Sequence, residues 1–131
     1  MKRTILLLVA IFAMVACGKS DDSKAREGST SATFNPPAWI YGKWLNKSAG
    51  GNIGYEFAKN DFCTIANIIT LCYGSGGNAQ YTTNIKQEST DKVYKVSFMV
   101  SGTIVQSYEF TKISDKTITS NEHPNMIFTK E

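Results

Sequence analysis

From Trp39 to Lys130 the chain breaks into short apolar runs with a two-residue period, each ended by a turn signal, and no window of ten or more residues carries a helical period. Within Val93–Val100, Tyr94, Val96, Phe98 and Val100 alternate with Lys95, Ser97 and Met99; within Ile53–Phe57, Ile53, Tyr55 and Phe57 share one face. Further strands are expected over Ala38–Leu45, Phe62–Asn67, Tyr81–Glu88, Thr103–Thr111, Thr117–Ser120 and Met126–Lys130. Turns fall at Lys59-Asn60-Asp61, Ser89-Thr90-Asp91 and Ser114-Asp115-Lys116, where Asn, Asp and Ser bond their own backbone, and at the two-residue hairpin Ser101-Gly102. Ile68–Asn78 is apolar without clean alternation and runs into Gly74-Ser75-Gly76-Gly77, which reads as a short strand or helical turn followed by a mobile loop. About eight short strands at this spacing describe an all-β domain, a small antiparallel up-and-down barrel, with a β-sandwich as the alternative.

A chain of 131 residues holds one such domain. Thirteen of its fifteen aromatic residues lie from Trp39 onward, a large apolar supply for so short a unit. Those most able to line an interior are Tyr55, Phe57, Tyr94, Phe98, Tyr108 and Phe110, and each is equally suited to core packing.

The N-terminus carries a different signal. Lys2 and Arg3 precede the apolar run Ile5–Ala16, 12 residues long, too short to cross a bilayer and suited to a signal-peptide core. The run ends Met14-Val15-Ala16-Cys17-Gly18, which resembles the lipobox of bacterial lipoproteins. That resemblance implies cleavage after residue 16, a diacylglyceryl group on the Cys17 sulfur and, in many species, a further acyl chain on its amine. Two or three acyl chains, at about 0.8 kcal/mol per buried methylene, hold a protein on a membrane. The stretch Gly18-Lys19-Ser20-Asp21-Asp22-Ser23 is similar to the acidic segment that sends lipoproteins of Bacteroidetes to the outer face of the outer membrane, and it serves equally as a solvated tether. Residues 17–33 contain no aliphatic side chain larger than alanine before Phe34, so they read as the lipidated cysteine and a flexible linker to a domain at residues 34–131. Loss of Lys2 and Arg3 lowers the net charge of +3 by two, leaving +1, which excludes a polybasic surface and nucleic acid as the partner.

Gly42-Lys43-Trp44 on the first strand resembles the Gly-x-Trp signature of lipocalins, in which the glycine lets the strand bend and the tryptophan plugs the closed end of the barrel. The strand rhythm through residue 130 is similar to that of lipocalin-like lipoproteins of Bacteroidetes. Lipocalins stack an arginine from the last strand on that tryptophan; the only arginines here are Arg3 and Arg26, so Lys130 or Lys112 would substitute. The short domain implies a small cavity or none.

Cys63 and Cys72 are expected to pair in an exported protein; two reduced cysteines on facing strands are the alternative. No spacing suits a structural metal site, and nothing calls for a cofactor. The sole imidazole, His123, lies in Asn121-Glu122-His123-Pro124-Asn125, which reads as an exposed loop, and Glu56, Glu88 and Glu109 alternate with apolar neighbours as solvent-facing strand residues do. No catalytic residue is therefore assigned. The expected protein is a non-enzymatic lipoprotein of the outer membrane binding a small apolar ligand. The alternatives are a filled barrel or sandwich that contacts another envelope protein and, less favoured, an inhibitor that blocks an enzyme with a loop. The substitution Cys17→Ser is expected to abolish acylation and move the protein from the detergent-rich to the aqueous phase in a two-phase extraction; membrane retention of that variant would overturn the lipid anchor.

Overall fold

The computed structural model describes residues 30–31, 33–48 and 50–131. Cys17, the expected signal peptide and the linker through residue 29 lie outside the described residues. Ten strands form one antiparallel sheet: β1 (Thr30–Ser31), β2 (Gly42–Ser48), β3 (Gly51–Ala58), β4 (Asp61–Ala66), β5 (Ile69–Cys72), β6 (Thr82–Ser89), β7 (Val93–Val100), β8 (Ile104–Ser114), β9 (Thr117–Ser120) and β10 (Phe128–Lys130). The order across the sheet is β1-β6-β7-β8-β9-β10-β2-β3-β4-β5. It is an up-and-down meander whose last strand returns to its first long one, since Thr129 pairs with Leu45 and Lys130 with Trp44. The expected all-β barrel is the observed fold, as a curled sheet open between β1 and β5.

Ring contacts show how far the sheet curls. Three strands separate β3 from β8, about 19 Å on a flat sheet at the usual interstrand spacing. Yet the Tyr55 and Phe110 rings lie 4.8 Å apart, and Phe62 of β4 lies 4.9 Å from Tyr108 of β8. Tyr73, just beyond β5, is 4.8 Å from Phe98 of β7 and spans the opening. The 3-10 segment Gly76–Tyr81 then carries the chain from the end of β5 to the start of β6 along that opening.

At one end the sheet is plugged. Ala38–Ile40, expected as strand, forms a 3-10 turn behind Pro36 and Pro37, and its Ile40 carbonyl accepts a 2.7 Å bond from Trp44 Nε1. The strand begins only at Gly42, whose φ of +116° suits glycine; a Cβ there would sit 2.9 Å from Lys130 Cε. The close approach belongs to the Lys130 side chain, whose Nζ lies 5.3 Å above the Trp44 ring. Both lysines named as arginine substitutes are engaged, but with different rings: Lys112 stands 5.9 Å over Trp39. Trp39 in turn donates through Nε1 to the Thr90 carbonyl at 2.9 Å.

The structure shortens the expected linker. Thr30 and Ser31 pair with Lys86 and Ile85 at the otherwise free edge of β6. Gln87 fixes the following residues: its Oε1 accepts from Asn35 N at 2.6 Å and its Nε2 donates to the Thr33 carbonyl at 3.1 Å. Phe34 is then fully buried against Phe62 and Phe98. Composition did not reveal this ordering because the partner is the backbone of an edge strand rather than an apolar side chain.

Cys63 and Cys72 form a disulfide between directly opposite residues of β4 and β5. It fastens the edge strand whose pattern was ambiguous, since three of the four residues of β5 are exposed. In the chain-entropy model a loop of this length stabilises the fold by about 2–3 kcal/mol. Replacing both cysteines with alanine should lower the free energy of urea unfolding by that amount, and thiol titration of the unfolded, unreduced protein should find neither Cys63 nor Cys72 free.

Candidate functional site

The two ends of the barrel differ in charge. Loops at the plugged end carry Lys59, Asp91, Lys92, Asp115 and Lys116. At the other end the described connections are residues 50, 67–68, 101–103 and 121–127, and Glu122 is their only formally charged residue. Exposed aliphatic side chains gather there instead: Ile68 at the tip of the β4–β5 hairpin, Ile69, Ile104, Val105 and Ile127. Local backbone chemistry sets these tips, with Asn67 in left-handed geometry and both Ser101 and Gly102 at positive φ, the mirror-image turn that joins tight hairpins.

Within this open end lies a cleft of about 270 Å³, lined by Ile53, Gly54, Tyr55, Thr64, Ile65, Ala66, Tyr108, Glu122 and His123. Ile53, Tyr55, Thr64 and Ala66 share the concave face through the β3–β4 register, while Tyr108 reaches the cleft from β8. A polar network forms one wall. Tyr55 donates its hydroxyl to Glu122 Oε2 at 2.9 Å and also bonds Ser120 Oγ at 3.0 Å; Ser120 Oγ accepts from Glu122 N at 3.2 Å. His123 N donates to the Ser120 carbonyl, and Met126 N to that of His123, so the loop turns tightly. The imidazole Nε2 lies 3.7 Å from Glu122 Oε2.

Of the six aromatics proposed to line an interior, Tyr55 and Tyr108 border this cleft. Phe57, Tyr94, Phe98 and Phe110 are buried ring against ring and do not line it. Gly42 and Trp44 stand at the plugged end. His123, expected as an exposed loop residue, is instead two-thirds buried at the cleft, held by the turn and facing the Phe128 ring at 6.2 Å. Ser120, Glu122 and His123 were not picked out as binding residues. The only signal in the chain was the placement of its one imidazole beside a carboxylate.

Two chemistries can be weighed. Among the described residues no hydrogen bond links Ser120 Oγ to the imidazole, so the serine lacks the base contact that activates a nucleophile. Asp61, Cys63 and Cys72 bring ligand-type atoms within 4.8 Å of one another, but both sulfurs are in the disulfide. Asp61 is occupied as well, accepting from Phe62 N, Gly74 N and Ser75 Oγ. That cluster is a structural clamp on the turn after β5. No protein family, no curated protein and no solved structure matches the chain.

Burial drives the hydroxyls of Tyr55, Tyr94 and Tyr108 well above the ordinary tyrosine range, and the Glu122 charge adds to this at Tyr55 and Tyr108. These groups stay neutral in the folded protein while their unfolded counterparts ionise near pH 10, so the stability they contribute is present below that pH and lost above it. Each should steepen the fall by about 1.4 kcal/mol per pH unit. In an alkaline titration the phenolate absorbance of these three tyrosines should therefore appear together with unfolding by circular dichroism; their ionisation with the fold intact would refute the burial argument.

Proposed function

We propose that this chain is a lipid-anchored lipoprotein of the bacterial outer membrane, not an enzyme, whose small lipocalin-like barrel holds a small, largely apolar ligand at its open end. The observation that carries the reading is the cleft bounded by Ile53, Ala66, Tyr55 and Tyr108, at the end of the barrel where Ile68, Ile69, Ile104 and Ile127 are exposed. Ligand sites are concave and mostly apolar, with a few polar groups that fix orientation, and here Thr64, Glu122 and His123 supply them. At about 270 Å³ the cleft lies just below the usual range for such sites, which matches a fragment-sized guest. The interior below it is filled with aromatic rings, so binding takes place at the mouth rather than in a deep calyx.

A second reading draws on the same end of the barrel. Ile68, Ile69, Ile104, Val105 and Ile127 are more exposed than a purely enclosed guest requires, and β5 has one unpaired edge. Both features suit contact with another envelope protein. Native mass spectrometry of the lipidated chain, extracted from its own membrane in mild detergent, separates the two. A discrete excess mass that denaturation removes is expected; the bare lipidated mass would overturn the carrier reading in favour of the interaction module.

A further inference from the structure

We infer that the guest of the open-end cleft carries a positively charged amine, and that Glu122 receives it. This rests on the cleft being a ligand site and specifies the chemistry of that ligand. Glu122 is the only formal charge on the described loops of the open end, and among the described residues no lysine lies within ion-pair distance of it. Its Oε2 accepts the Tyr55 hydroxyl and faces His123, whereas Oε1 accepts no hydrogen bond among the described residues. The other carboxylates in ion pairs among the described residues, Glu109, Asp115 and Glu131, each face a lysine.

The surroundings favour a cation further. The rings of Tyr55 and Tyr108, with centroids 6.1 Å apart and nearly perpendicular, border the same cleft as the carboxylate and give it apolar surroundings, in which opposite charges attract more strongly than in water. Ile53 and Ala66, beside Tyr55 on the β3–β4 wall, suit the apolar remainder of the molecule. An anionic guest would meet the Glu122 charge with no lysine to offset it. A neutral apolar guest would take water from the carboxylate and offer no charge in return, which is costly. Before any ligand arrives Tyr55 holds the carboxylate through its hydroxyl, while Ser120 Oγ holds the residue 122 backbone by accepting from its N–H.

The test uses the lipidated protein in phosphatidylcholine nanodiscs with three probes of similar shape: 2-phenylethylamine, 3-phenylpropanol and 3-phenylpropanoate. Amide shifts of Ile53, Thr64 and His123 report occupancy, with empty nanodiscs correcting for partitioning into lipid. The amine should bind at least ten-fold more tightly than the alcohol, the acid should be excluded, and Glu122→Gln should erase the preference, bringing amine and alcohol to similar affinities. Glutamine keeps an oxygen for the Tyr55 hydroxyl, and a near-ultraviolet circular dichroism spectrum at neutral pH matching that of the parent protein would show that the variant is folded. Equal binding of amine and alcohol, or an amine affinity that Glu122→Gln does not move, would overturn the charge assignment and leave the apolar site standing. No cleft shifts with any probe would overturn both the assignment and the site.

Discussion

A single sheet with all its large rings on one face, and no second layer to cover them, has only itself to pack against. The contacts from Tyr55 to Phe110 and from Phe62 to Tyr108 satisfy that constraint by bringing strands far apart in sheet order into touch. Closure through the β10–β2 pairing follows, because the rings are buried only when the two halves of the meander face one another. The remaining opening between β1 and β5 is bridged by Tyr73 against Phe98 and by the 3-10 segment, so the uncovered backbone is confined to a short edge. The disulfide fastens that edge where side-chain burial is weakest.

The same packing divides the barrel lengthwise. Rings from Phe34, Trp44, Phe57, Tyr94 and Phe110 fill the interior, and Ile40 and Trp44 stop the plugged end. Large residues on the concave strands thin out toward the other end, where Thr64 and Ala66 occupy positions that a ring would have filled. The cleft is therefore a consequence of side-chain size along β4. Charges are concentrated on the loops at the plugged end, which leaves the mouth nearly neutral apart from one carboxylate.

Strands with one buried face were legible because their alternation is a direct image of that burial: β3, β7, β8 and β9 lie close to where the two-residue period put them. Ala38–Ile40 was misread because aromatic and branched residues favour strands, while its actual geometry answers to the two prolines and to the Trp44 indole bond. Strand β5 was ambiguous because an edge strand exposed on most of its length carries no clean period. The cleft was the least legible feature. Tyr55 and Glu122 are 67 residues apart in sequence, and their meeting depends on the barrel closing, which no local pattern encodes. The two lysine alternatives for covering an indole were visible in composition, but which ring each one covers is set by register alone.

The Tyr55–Ser120–Glu122 network ties the loop after β9 to the barrel wall. Ser120 is the one buried polar residue among those described, and its hydroxyl joins β3 to the loop after β9, elements not paired directly in the sheet. A buried polar group without a partner costs about 1–3 kcal/mol, so the network is stable only when all its bonds form together. That coupling makes the position of Glu122 a property of the closed barrel and not of its loop. A carboxylate held this way would have little freedom to lose to a bound ligand, and preorganisation of this kind would let a shallow cleft discriminate between guests that differ by a single charge, as the proposal requires.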